Sequence, residues 1–185
     1  MDRIEALRLE TRHLVDLGHR SFGVLGFGSS NTWRWNGIVE TLNECGLDPA
    51  RDAQTFELDS PGAESYAEGI QLAQLVLGAK RRPTALIAIN DRVASGAIQQ
   101  LVDQGFRIPE DFSVVGFDNL PMGQHLRPTL TTIDHQSKLL IEKAGELLLE
   151  QLGKVPESGA GKQLRIEPRL IVRESTGHAP KSRAK

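Results

Sequence analysis

Arg34, flanked by Trp33 and Trp35, the pair Asn90-Asp91 and the pair Asp118-Asn119 are the residues of this chain best equipped to handle a small polar molecule. Guanidinium and carboxylate groups each grip two neighbouring hydroxyls, and an indole face packs on the C–H side of a sugar ring. Covalent and metal chemistry is thinly represented. His13, His19, His125, His135 and His178 show no metal-ligand spacing. The lone Cys45 excludes an internal disulfide or a thiolate cluster. Neither a G-x-S-x-G elbow nor a G-x-x-x-x-G-K-[ST] loop occurs. The turn Gly26-Phe27-Gly28-Ser29-Ser30-Asn31 follows the dinucleotide fingerprint until its third glycine, whose place Asn31 takes. With Glu57 and Asp59 just beyond it, that turn defines the alternative, a nucleotide-using α/β enzyme. The first reading is a binding protein with no catalytic residue, no metal and no cofactor.

Plainer roles compete for the same residues. Asp91 stands where a helix N-cap is expected, Asn90 where a strand ends, and Asp118-Asn119 where an Asx turn fits. Of the two tryptophans, which project on different helix faces, one is expected in the core. His19 in the Gly18-His19-Arg20 turn reads as a structural hydrogen-bonding group, and Cys45 as an inert thiol.

The elements that position these residues alternate. Residues 2–17 carry Ile4, Leu7, Leu14 and Leu17 as a helical stripe closed by Gly18. Strands are expected at 21–27, 54–58, 84–89 and 112–117, and helices at 31–45, 63–77 and 90–102, with Gly46 and Gly105 as terminators. Strands apolar on both faces, alternating with helices, predict an α/β fold built on a doubly wound parallel sheet. Ligands on such sheets bind beyond the carboxyl ends of the strands, near the point where strand order reverses. Arg34, Asn90 and Asp118 all follow such ends. After residue 118 come a proline-containing loop, a short strand at 130–134, a leucine-rich helix at 136–152, a glycine-rich linker and a last strand at about 163–172.

The chain has 185 residues and a net charge of −2, so it lacks the basic footprint of a nucleic-acid binder. No apolar run approaches the length of a membrane span, and the amino-terminal segment has no secretory h-region, which predicts a cytoplasmic protein without membrane partners.

Ordered motifs sharpen the reading. They are His13-Leu14-Val15-Asp16-Leu17-Gly18-His19-Arg20, Arg34-x-x-Gly37, Asn90-Asp91-x-x-Ala94-x-Gly96, Gly105-Phe106-Arg107-Ile108-Pro109-Glu110-Asp111, Ser113 through Asn119, Pro128-x-Leu130-Thr131-Thr132-Ile133, and Pro168 through Thr176. Together they resemble the C-terminal part of the effector-binding domain of lactose-repressor-type (LacI/GalR) transcriptional regulators. The resemblance implies a periplasmic-binding-protein-like fold with one lobe nearly complete, and an effector held by Arg34, Asn90 and Asp118. Trp33 or Tyr66 is a candidate for the aromatic contact, and Gln136 a further contact where the chain crosses between lobes. It also implies residues 1–135 plus 162–176 as the C-terminal lobe and 136–152 as a helix of the other lobe, with 177–185 as a disordered tail. The implied partners are a sugar, sugar phosphate or nucleoside effector, a second copy in a homodimer, and DNA only through a helix-turn-helix headpiece of the parent protein, which this sequence is expected to lack. Without its lobe, the leucine face of helix 136–152 is expected to fold back or to pair with a second chain.

Overall fold

A computed structural model describes residues 3–27, 32–59, 65–152 and 165–181. Among them run α1 (Arg3–Asp16), β1 (Phe22–Leu25), α2 (Thr32–Glu44), α3 (Pro49–Asp52), β2 (Ala53–Phe56), α4 (Tyr66–Gly78) and β3 (Ala85–Ala88). There follow α5 (Asp91–Asp103), β4 (Ser113–Phe117), a 3-10 turn at Pro121–Gln124, β5 (Thr131–Asp134), α6 (Ser137–Gln151) and β6 (Arg169–Ile171). The 3-10 turn and the one-turn helix α3 were not expected; Asp48 caps α3 through Ala50 N, with Pro49 at its start.

The strands form one sheet in the order β2-β1-β3-β4-β5-β6, parallel from β2 to β5, with β6 antiparallel at the edge. β1, β3 and β4 are buried along their whole length, as strands covered on both faces must be. Right-handed crossovers place α1 and α2 on one face and α4 and α5 on the other. The core runs through both layers, from Leu7, Leu14, Ile38 and Leu42 beneath α1 and α2 to Leu72, Val76, Ala94 and Leu101 beneath α4 and α5.

All three predicted terminators act as such. Gly18, Gly46 and Gly105 take φ of 91°, 72° and 83°, and the residue after each donates its N–H back to a helix carbonyl. At Gly69 and Gly96 the lack of a side chain is used differently. A Cβ at Gly69 would run into the carbonyl of Val93, and one at Gly96 into that of Tyr66. Backbone-to-backbone contact of α4 with α5 depends on both positions.

Two expectations are corrected. The tail does not fray where it was expected to begin: Gly177 N donates to Ser113 Oγ at 3.0 Å and Ala179 N to Leu17 O at 2.9 Å, which pins the chain across the amino ends of the strands. Residues 182–185 lie outside the described part. Of the two arrangements expected for α6, folding back on its own lobe is not the one seen: Ile141 is 71% exposed and Leu149 70%, with Leu148 and Leu152 similarly open. It leaves the sheet through Gln136, which sits in the left-handed region at φ 54°, and this turn carries the helix away from the core.

Candidate functional site

Strand order reverses between β1 and β3, since β1 leads on to β2 on one side while the later strands run to the other. The carboxyl ends of β1 and β3 therefore flank a crevice. Arg34, in the first turns of α2, reaches across it. Its Nη1 donates to the carbonyl of Ile89 at 2.7 Å, immediately before Asn90. The guanidinium carbon stands 4.7 Å from the Trp33 ring centre, 4.8 Å from that of Phe117 and 5.5 Å from that of Phe27. Three ring faces and a carbonyl hold the cation in a defined place while leaving it half-buried.

Asn90 ends β3 in extended backbone, and its Oδ1 accepts from Val93 N at 2.9 Å. The helix cap is thus Asn90 and not Asp91, because the turn aims the Asn90 carbonyl oxygen along the axis of α5. Asp91 has a different task. It is fully buried, and it accepts from Leu120 N at 2.6 Å and from Thr132 Oγ1 at 2.6 Å. A Cβ at Gly116 would collide with its Oδ1, so the glycine makes room for the carboxyl. Burial pushes the Asp91 carboxyl above its usual range, with the two hydrogen bonds working against that shift. Asp91 locks the loop after β4 to β5.

That loop carries Asp118 and Asn119 in positive φ, at 120° and 51°. Asn119 N donates to Thr132 Oγ1 at 3.2 Å, and its Oδ1 accepts from Arg173 Nη2 at 2.8 Å. Asp118 Oδ1 is hydrogen-bonded to His135 Nε2 at 2.7 Å, and the His135 ring packs edge-on against Phe117. Asp118 thus projects beside the ring on which Arg34 rests.

The structure brings Arg34, Asn90 and Asp118 to one edge, together with Trp33, whose ring also lies under Arg3 at 5.2 Å. Both Trp33 and Trp35 are half-buried against the core, so the expected division into one core and one pocket tryptophan is not seen. Tyr66 opens α4 at the same edge of the sheet, with 42% of its surface exposed. Gln136 Nε2 donates to Glu167 O at 2.7 Å, joining the two segments that cross between the lobes the resemblance implies. The turn Gly28–Asn31 and Ser60 lie outside the described residues, and Asp59 is exposed.

Sequence reasoning missed His135, Phe117 and Glu10. Glu10 occupies the sheet-facing stripe of α1 with Ala6, Leu7, Thr11 and Leu14, and it is fully buried. The signal was available, since residue 10 falls three after Leu7 and four before Leu14. Burial drives its carboxyl well above the usual range, Asp91 and Asp118 push the same way, and Arg34 opposes them. Among the described residues no group of three or more His, Cys, Asp or Glu side chains could hold a metal ion, and no helix is long and apolar enough to cross a membrane.

Residues 11–176 match the periplasmic binding protein-like domain family. The chain is 33% identical over 171 residues to the HTH-type transcriptional repressor PurR of Mannheimia succiniciproducens, covering 90% of this chain and 49% of that protein. It is 34% identical over 173 residues to the Haemophilus influenzae PurR, with the same two coverages. It therefore spans about half the length of the curated relatives it matches. Among solved structures, a LacI family transcriptional regulator from Enterococcus faecium with bound ribose superimposes with a TM-score of 0.82 at 26% identity, over 96% of this chain and 64% of that one. A LacI-type regulator from Bifidobacterium animalis does so with a TM-score of 0.82 at 30% identity, over 96% and 66%. These relatives are transcriptional regulators and not enzymes, which favours the binding reading over the nucleotide-enzyme alternative. The chain belongs to the periplasmic binding protein-like domain family, in the form carried by LacI-type transcriptional regulators.

Proposed function

We propose that this chain is the effector-binding and dimerisation portion of a LacI-type regulator. Its carboxyl-edge crevice holds a small sugar-like or nucleoside-like molecule. The observation that carries the reading is the Arg34 bridge to Ile89 O, which sets a guanidinium beside Asn90 and Asp118 at the strand-order switch. Arg34 and Asp118 take neighbouring hydroxyls or a polar ring edge, and Asn90, whose Oδ1 caps α5, offers its Nδ2. Trp33 supplies an apolar face; Tyr66 and Gln136 take lesser parts at the rim.

Residues 1–135 with 162–176 form one lobe, and 136–152 belongs to a second lobe. The exposed leucine face of α6 docks there, and the parent protein is a cytoplasmic homodimer. DNA recognition lies with a headpiece outside this chain. Effector binding shifts the arrangement of the lobes, which changes how paired headpieces meet the operator.

The test is a titration of intrinsic tryptophan fluorescence with sugars, sugar phosphates, nucleosides and NAD, with Arg34→Ala as the control. A saturable response to a sugar or nucleoside that is lost in Arg34→Ala supports the proposal. A response to NAD alone contradicts it.

A further inference from the structure

Glu10 stands apart from the other buried acids among the described residues. Its side chain is wholly buried, yet neither Oε1 nor Oε2 has a hydrogen-bond partner among the described residues. Asp52, buried at the opposite edge of the sheet, is gripped by Arg51 and Arg81 and accepts from Asp48 N. Asp91 is held by Leu120 and Thr132. A buried carboxyl without partners destabilises the free chain, so its retention calls for a partner that arrives later.

The surroundings say where that partner comes from. α1 runs from the carboxyl edge of the sheet toward the amino edge, which its end reaches at His19. Glu10 lies on its sheet-facing stripe, and the charged groups it feels are Arg34 on α2, Asp91 at the start of α5 and Asp118 after β4. These are the groups of the crevice. Resting on the effector-site reading above, we propose that Glu10 is a further effector-recognising residue: its carboxyl takes an N–H or O–H of a neutral or cationic effector and bars effectors that carry a phosphate or carboxylate.

Charge balance supports the second half. Three carboxyls, Glu10, Asp91 and Asp118, gather near the guanidinium of Arg34, which Ile89 O and three rings already engage, while the guanidinium of Arg173 is committed to Asn119 Oδ1 and Leu130 O. A second anion entering there would raise the pKa of every acid present and meet a cation already occupied. A hydroxyl, a nucleobase N–H or an ammonium instead satisfies an oxygen that has no partner. With Glu10 protonated, the same carboxyl donates its O–H to a hydroxyl oxygen, so a polyol is served in either state.

The experiment uses the full chain and three probes on one ring, D-glucose, D-glucosamine and glucose 6-phosphate, beside D-ribose, ribose 5-phosphate and adenosine. Affinities are read by calorimetry for wild type, Glu10→Ala, Glu10→Gln and Arg34→Ala, and melting temperature is read for each. The expected result is that a neutral or amino probe binds wild type at least tenfold more tightly than its phosphorylated partner. Glu10→Ala then loses tenfold or more for that probe and narrows the gap to the phosphate, while Glu10→Gln, which keeps an acceptor and donors, recovers part of the loss. Both Glu10 variants melt no lower than wild type, so the loss is not one of folding. Wild-type affinities retained within twofold by Glu10→Ala, with binding abolished by Arg34→Ala, overturn the role of Glu10 and leave the effector site standing. A preference of wild type for the phosphorylated probes overturns the anion bar. Silence of wild type to all six probes overturns both readings.

Discussion

Two buried polar clusters sit at opposite ends of the same sheet, and they are built on opposite plans. At the amino ends of the strands, His19 is fully buried with every ring nitrogen engaged. Nδ1 meets Thr84 Oγ1 at 2.9 Å; Nε2 meets Ser113 Oγ at 2.9 Å and Gly177 O at 3.1 Å. The carbonyl can only accept, so Nε2 carries the proton and Nδ1 accepts from the threonine hydroxyl. Four segments are joined there, and both ring nitrogens are engaged. At the carboxyl ends, Arg34, Asp118 and Glu10 gather around a crevice, two of them partly exposed and the third without a hydrogen-bond partner among the described residues. A satisfied network fixes a fold; an incompletely satisfied one of the same size holds its capacity in reserve for a ligand.

The comparison breaks most visibly at His19. His19→Ala strands Ser113, Thr84 and Gly177 and opens a cavity, and it is expected to destabilise the chain by about 3 kcal/mol in urea unfolding. Effector affinity, measured where the variant is still folded, should be unchanged. Acid probes the same cluster without a mutation. Burial lowers the His19 pKa to about 4, whereas the unfolded chain protonates it near the ordinary value of 6.5. Between those values the unfolded state binds the extra proton. The stabilisation is therefore complete above about pH 6.5 and drains away as pH falls toward 4, by about 2 kcal/mol between pH 7 and pH 5. His19→Gln should flatten that slope; an unchanged slope would place the acid sensitivity elsewhere.

At the other edge the expected sign reverses. Glu10→Gln removes a carboxyl whose folded pKa is raised, a group that favours folding only below the ordinary glutamate range and opposes it as pH climbs. The variant should gain about 1 kcal/mol at pH 7, with the margin closing toward pH 4. Loss of stability at pH 7 would mean that Glu10 is a structural group like His19. Arg34→Ala changes stability by a similar amount, about 1 kcal/mol for its charged hydrogen bond to Ile89 O at a half-exposed site, although it removes the binding response.

The fold was legible because it rests on repetition. Apolar strands, helical stripes and the closing glycines Gly18, Gly46 and Gly105 are local signals, each read within a few residues. Arg34, Asn90 and Asp118 were legible as a group because the ends of parallel strands share an edge. Their partners were not. The link of His135 to Asp118 spans seventeen residues and depends on the positive φ of Asp118. The exchange of capping from Asp91 to Asn90 turns on one residue of strand end. Asp91 finds Thr132 forty-one residues away, through a gap that Gly116 leaves open. Glu10 was readable from periodicity and was overlooked because a charge on a helix is usually turned to water. The direction of α6 depended on the left-handed Gln136, which apolar patterning does not encode.

The most direct test of the division between the two edges is an amide NMR titration of the full chain with whichever sugar or nucleoside probe binds most tightly. Shifts are predicted to cluster at Phe27, Trp33–Gly37, Ile89–Asp91 and Phe117–Asn119, with His19, Thr84, Ser113 and Gly177 unmoved. Shifts centred on the His19 cluster, or spread evenly over both edges, would contradict the assignment of binding to the carboxyl edge.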